Sequence, residues 1–303
     1  MACRTAGVTS IVDLAGHSII FTHVPKTGGT TLDQIFSATA AATGKIARRL
    51  PMSHLADQPL HERNQKILDF NTVASNKLPA DYLSGHFQFG LHRRLDRPAL
   101  YVALMRNPAS RLVSNLRFAI DRGKFTNNIT IDRVFENRRL LDNIQTRQLA
   151  GLADRDAPCT RETLAHARDN LRRHYAIAGV TERFDETLKA LITLLGWPDI
   201  AYTDRQVSRA LIDPDLKQKA EAAVERYFAF DLELYSEVAS RPVPWSPEVM
   251  TSAVTGPARQ DAVLVTSSVI KRDNRPYALI SRTEFDTQLC PALTKAGGEV
   301  VFV

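Results

Sequence analysis

The most constraining stretch of the chain lies near its start. A run of apolar and β-branched residues, His17-Ser18-Ile19-Ile20-Phe21-Thr22-His23-Val24, stops at Pro25 and leads into Lys26-Thr27-Gly28-Gly29-Thr30-Thr31. A short apolar run bounded by turn residues predicts a buried strand. After the glycine pair, Leu32, Ile35 and Phe36 fall on one helical face, and Thr30 or Thr31 is available as a cap. Strand, glycine turn and helix in immediate succession make a natural anion site. Glycines let the backbone approach a ligand, the helix N-terminus offers free N–H groups and partial positive charge, and Lys26 adds a full charge. The other reading of the same residues is an ordinary turn before a capped helix.

The pattern then repeats. Asp81 to Phe87 and Leu100 to Met105 read as two further buried strands, the second ending at Arg106-Asn107-Pro108. Proline biases the residue before it towards extended backbone. Ala109 to Asp121 resumes with helical spacing. Helical stretches are expected near 132–150 and 161–173, followed by a strand at Tyr175 to Val180, a helix at Asp185 to Leu195 and helices around 214–227 and 231–239. Between the first two units, residues 44–80 carry no strong periodicity beyond a short helix around Glu62 to Phe70. Strands alternating with helices indicate an α/β fold with a mainly parallel sheet.

Prolines 242, 244, 247 and 257 break the helical pattern. The expected organisation is a main domain over 1–241, a proline-rich linker over 242–260 and a small β-rich extension over 261–303. That extension is close to the ~40-residue limit for a free-standing core, so it is expected to dock on the main domain.

The 303 residues include 39 Lys and Arg against 33 Asp and Glu, a formal charge of +6. That surplus favours anionic partners, but without lysine-rich runs it does not indicate nucleic acid. Cys3, Cys159 and Cys290 show neither a disulfide framework nor CxxC spacing. No stretch reaches the ~18 uninterrupted apolar residues of a membrane span, and the N-terminus lacks a signal pattern. A soluble cytoplasmic protein is the expectation.

The first loop lacks the Walker order GxxxxGK[ST], because Lys26 precedes the glycines. Pro25-Lys26-Thr27-Gly28-Gly29-Thr30-Thr31 instead resembles the 5′-phosphosulfate loop of sulfotransferases, which use 3′-phosphoadenosine 5′-phosphosulfate (PAPS). Arg106-Asn107-Pro108-Ala109-Ser110-Arg111-Leu112-Val113-Ser114 resembles that family's 3′-phosphate motif, an Arg at a strand end and a Ser on the following helix. Ser84-Gly85-His86-Phe87 is similar to the HGH segment of the heparan sulfate 2-O-sulfotransferase branch, with Ser84 in place of the first histidine. Gly179-Val180-Thr181-Glu182 resembles a segment that runs past the nucleotide.

The resemblance covers about residues 17–240 and implies a P-loop-like α/β fold. It also implies an enzyme that moves the sulfuryl group of PAPS to a hydroxyl, by the branch of a carbohydrate. Lys26 and His86 are the implied catalytic residues. Lys26, Thr27, Gly28, Gly29, Thr30, Thr31, Arg106, Ser114 and Thr181 are the implied nucleotide contacts, with no metal required.

Two other classes remain open at this stage, an ATP-dependent kinase with an atypical P-loop and a non-catalytic module for polyanions. His17, His23, His54, His61, His92, His166 and His174 show no metal-ligand spacing. The basic stretch from His92 to Arg97 reads equally as a solvated turn or an acceptor contact. Arg138, Arg139, Arg147, Arg172 and Arg173 read as solvent-facing helix positions.

Overall fold

The structure is a computed structural model, and it describes residues 17–49, 81–95, 97–124, 130–136, 142–152, 154, 156–202 and 214–243, with three further strands between 261 and 302. The expected helix at Glu62 to Phe70, most of the proline-rich stretch, Cys3, Cys290, Arg138 and Arg139 lie outside the described residues.

Five strands form the central sheet: β1 (Ser18–Thr22), β2 (Ala47–Arg49), β3 (Tyr82–Gly85), β4 (Ala99–Met105) and β5 (Tyr175–Val180). Every pairing is parallel and the order is β2-β3-β1-β4-β5. Parallel neighbours need crossovers. The described ones are α1 (Gly29–Thr43) between β1 and β2, and α2 to α5 (Pro108–Asp121, Ile131–Glu136, Ile144–Ala150, Arg161–His174) between β4 and β5. After β5 come α6 (Phe184–Leu195), β6 (Asp199–Tyr202), α7 (Pro214–Tyr227) and α8 (Ala229–Ser240).

Alternation along the strands divides the core into two layers, because successive side chains in a strand point to opposite faces. Ile19, Phe21, Val102 and Leu104 pack with Leu32, Ile35 and Phe36 of α1 and Leu188 and Leu191 of α6. Ile20, Tyr101, Ala103 and Met105 pack with Leu164 and Leu171 of α5 and Leu234 of α8. A sheet buried on both faces explains why β1 and β4 read as nearly continuous apolar runs. A third cluster joins Leu112 and Leu116 of α2 to Ala220 and Val224 of α7 and to Phe228.

The α/β reading with a parallel sheet therefore holds, and apart from the 132–150 helix the expected elements that fall on described residues lie within a few residues of those observed. Two strands carried no readable signal. β2 is an edge strand of Ala-Arg-Arg with no apolar run, and β6 is four residues long directly after Pro198. The expected helix over 132–150 is two helices, α3 and α4, with residues between them outside the description.

β6 opens a second sheet of order β8-β7-β6-β9, with β7 (Asp261–Val265), β8 (Tyr277–Ser281) and β9 (Val301–Phe302). β7 runs parallel to β6, while β8 and β9 pair antiparallel to β7 and β6. β7 and β8 lie against α1. The strands of the C-terminal segment thus share a sheet with a strand that precedes the proline-rich stretch.

Leu104 is fully buried in the centre of the sheet. Leu104→Ala is expected to lower stability by about 2–5 kcal/mol through lost burial and the cavity left behind, measured as a lower urea midpoint at unchanged slope.

Candidate active site

In a parallel sheet all carboxyl ends lie on one edge, and ligands bind where the chain leaves the sheet in opposite directions. That point is beside β1, from which β3 and β2 extend to one side and β4 and β5 to the other. The loops after β1, β3, β4 and β5 carry Lys26, His86, Arg106 and Thr181, and all four residues line one cavity of about 1090 Å³. Gly28, Gly29, Thr30, Thr31 and Ser114 line it too. The site residues expected from the sequence are therefore brought together, with Thr27 as the exception.

The loop after β1 is shaped by two left-handed residues, Lys26 at φ 69° and Gly28 at φ 83°. A lysine in that region costs on the order of 1–3 kcal/mol. Gly28 is the N-cap of α1 and no side chain caps the helix. The expectation that Thr30 or Thr31 caps it is therefore wrong, because both lie inside the first turn. The consequence is an N-terminus whose partial positive charge is left for a ligand. Thr27 is buried, and its hydroxyl donates to the Val24 carbonyl at 2.9 Å, so that hydroxyl is turned inward.

The loop carbonyls are tied down from neighbouring strands. Arg106 donates from Nη1 to the Lys26 carbonyl at 3.3 Å. Thr181 directs its hydroxyl at the carbonyls of Thr27 (2.8 Å) and Met105 (3.0 Å). The Thr181 hydroxyl therefore braces the loop. Arg106 is itself clamped: its N–H donates to Gln145 Oε1 and its carbonyl accepts from Gln145 Nε2, each at 2.9 Å. Gln145 is fully buried on α4 and its N–H donates to Asp231, so α8 holds α4 in place. After Arg106, Asn107 caps α2 by accepting from the N–H groups of Ala109 and Ser110. α2 then turns Ser110, Ser114, Arg117 and Phe118 towards the cavity on one helical face.

The electrostatics favour an anion. Among the described residues, Lys26, Arg49, Arg106, Arg117, Arg122 and Lys217 line the cavity against one carboxylate, Glu221. Burial lowers the Lys26 pKa, with Arg106 adding to the effect, and its ammonium sits 4.4 Å from the Phe118 ring centroid. Burial also lowers the Arg106 pKa, opposed by Glu182. A partly desolvated pair of cations gains when a doubly charged anion enters between them.

His86 donates from Nδ1 to the His23 carbonyl at 2.6 Å, since a carbonyl only accepts. This fixes the tautomer and leaves the Nε2 lone pair available. Burial first, and His23 second, lower the His86 pKa to about 4, so the ring is neutral at physiological pH and able to accept a proton. The rings of His23 and His86 are 4.3 Å apart. His23 itself bonds through Nδ1 to Asp33 Oδ2 at 2.9 Å, and Arg49 Nε reaches the same oxygen at 3.2 Å.

Sequence reasoning missed His23, Asp33, Arg49 and Gln145. His23 was visible only as the strand's last polar residue, and the others touch the site across elements that no spacing rule connects. The stretch from His92 to Arg97 is different: none of its described residues lines the cavity. His92 bonds Tyr101, and Arg97 pairs with Asp81 and the His17 carbonyl, so the solvated-turn reading fits them better. Arg147, expected to face solvent, is buried and paired with Asp142. It lies on the buried face of α4 rather than on an outer one. Arg172 and Arg173 are exposed beside Asp169.

Among the described residues there is no group of three or more His, Cys, Asp or Glu placed to hold a metal ion. Nor is any described helix long and apolar enough to cross a membrane.

Gln145→Leu is expected to leave the partly buried N–H and C=O of Arg106 without their present partners, at up to about 1–3 kcal/mol each. Thermal unfolding should register the loss as a lower midpoint.

Comparison with known proteins agrees with this geometry. No curated protein matches the chain. The sequence profile described as "Sulfotransferase family" matches residues 11–236, which spans the central sheet and every cavity-lining residue named above. The chain belongs to the sulfotransferase family.

Proposed function

We propose that this sulfotransferase takes its sulfuryl group from PAPS and places it on a carbohydrate hydroxyl. The observation that carries the reading is the convergence of two anion sites and one neutral imidazole on a single cavity. Lys26 with the uncapped start of α1 forms the first site, and Arg106 with Ser114 forms the second. Two anion sites suit a nucleotide charged at both its 5′ and 3′ positions.

PAPS supplies a sulfuryl group on a phosphate leaving group, which needs no metal to depart. Gly28, Gly29, Thr30 and Thr31 would hold the 5′ end through N–H and hydroxyl donors, and Thr27 would contribute its backbone N–H. Lys26 would stabilise the charge that develops on the bridging oxygen, an interaction that strengthens in the transition state. Arg106 and Ser114 would hold the 3′-phosphate, the arginine by parallel N–H bonds. Thr181 would hold the loop in place beside the nucleotide. His86 would accept the proton of the attacking hydroxyl at Nε2. The carbohydrate class rests on the likeness of Ser84-Gly85-His86-Phe87 to the HGH segment and on the basic lining of the cavity.

Calorimetry should show adenosine 3′,5′-bisphosphate binding more tightly than AMP. At about 1.5–3 kcal/mol for each charge-assisted bond the difference is roughly 10–100-fold, and Arg106→Ala should abolish it. Equal affinities would overturn the PAPS assignment.

Lys26→Ala should reduce turnover of PAPS more than affinity for the bisphosphate, and wild-type turnover should persist in EDTA. An absolute Mg²⁺ requirement would point to phosphoryl transfer instead. Radiolabel transfer from PAPS to a panel of oligosaccharides, with phenols and peptides as controls, identifies the acceptor class.

The pH dependence has a definite sign. An unperturbed histidine base would lose activity as pH falls through ~6.5. With its pKa lowered to about 4, His86 stays unprotonated through that range, so the acid limb of kcat/KM should lie well below 6.5. His86→Ala should cost about 10²–10⁴-fold in rate.

A further inference from the structure

The proposed mechanism uses His86 and leaves a second imidazole idle. His23 closes β1, lines the cavity and is 3% exposed. Its ring lies so close under the loop that a methyl group on Gly29 would sit 2.2 Å from Cδ2 and 2.3 Å from Nε2. Gly29 is thus required by this ring, and Nε2 of His23 stands at the N-terminus of α1 where the anion is expected. Among the described residues Nε2 has no hydrogen-bond partner, whereas Nδ1 is held at 2.9 Å by the carboxylate of Asp33. A carboxylate accepts, so Nδ1 carries a proton, and Nε2 is the nitrogen that bears the lone pair in the neutral ring.

Asp33 is otherwise hard to understand. It is 5% exposed behind an anion-binding loop, and its Oδ1 is buried without a described partner. Negative charge there opposes binding of a phosphosulfate, and the largely exposed Arg49 reaches it from the edge of the sheet. The arrangement makes sense if positive charge forms on His23 during the reaction. The charged and titratable groups around the two imidazoles are Asp33 from α1, Arg49 from β2, and each ring for the other. Among the described residues, Nδ1 of His86 bonds a neutral carbonyl, whereas Nδ1 of His23 bonds a carboxylate.

On the reading that the enzyme uses PAPS, we propose that His23 is a second proton acceptor of the reaction, held in its working tautomer by Asp33 as a positioning residue. In the step the acceptor O–H bond breaks and its proton passes to Nε2 of His23 or of His86. The acceptor oxygen forms the bond to sulfur, and the S–O bond to the 5′-phosphate breaks with its electron pair leaving on adenosine 3′,5′-bisphosphate. Nothing is oxidised or reduced. Two imidazoles 4.3 Å apart disfavour a double charge, so the pair takes up one proton per turnover.

The test uses the full chain and PAPS with water as acceptor, reading release of adenosine 3′,5′-bisphosphate, so that it does not depend on the natural acceptor. His86→Ala should retain a residual rate that falls a further ~10–100-fold in His23→Gln/His86→Ala, as expected when a second general base is lost. Asp33→Asn in the His86→Ala background should reproduce that fall. The amide can donate to Nδ1 and impose the opposite tautomer, which ¹⁵N NMR of the imidazole reads directly as a change from Nδ1–H to Nε2–H.

If His23→Gln does not fold, Asp33→Asn and the NMR tautomer decide the matter. A His86→Ala rate unchanged by both further substitutions, or a wild-type His23 carrying its proton on Nε2, would overturn the proposal and leave His86 as the base. Failure of adenosine 3′,5′-bisphosphate to bind in calorimetry would instead overturn the PAPS reading on which it rests.

Discussion

The loop after β1 is held by its carbonyl groups, and the site depends on that. Arg106 takes the Lys26 carbonyl and Thr181 takes the Thr27 carbonyl. With those oxygens engaged from β4 and β5, the start of α1 stays uncapped and turned to the cavity. The left-handed backbone of Lys26 is kept in place by the same contacts, which supports the view that strain persists where its surroundings over-determine it. Arg106 thus braces the loop, and in the proposed reading it also holds the second phosphate.

A chain of buried polar contacts carries this arrangement into the fold. Gln145 clamps the backbone of Arg106, and Asp231 receives the N–H groups of Gln145 and Thr146. Burial raises the Asp231 pKa, and Arg111 from α2 opposes the shift. The site is therefore anchored at its back by α4 and α8 through groups whose unsatisfied state would be costly. In physical terms, a loop that must present its N–H groups needs partners for its C=O groups, and those partners need partners in turn.

On the other side of β1 the balance is one of proton chemistry. His86 owes its tautomer to the His23 carbonyl, and its low basicity to burial and to the His23 ring. In the proposed role of base, such a ring is ready at neutral pH but gives little driving force for proton transfer. Asp33 supplies a compensating carboxylate to the neighbouring ring. The pairing of a neutral-backed with a carboxylate-backed imidazole distinguishes the two in a way that their positions in the chain do not suggest.

Much of the frame was legible from the amino acids alone. β1, β4 and β5 are buried on both sides and so appear as apolar runs, and Gly28-Gly29 and Asn107-Pro108 mark the junctions where strand gives way to helix. These are local properties, set by backbone sterics and side-chain period, and they also carried the likeness to the sulfotransferase family. β2 and β6 escaped because a strand of three or four residues with polar or mixed character is made by its neighbours rather than by its own sequence. Tertiary structure alone decided that Thr27 faces inward, that Thr181 braces a loop, and that His23 comes to lie beside His86 although 63 positions separate them. Only the order of parallel strands brings those residues to one edge, and no short-range rule encodes that order.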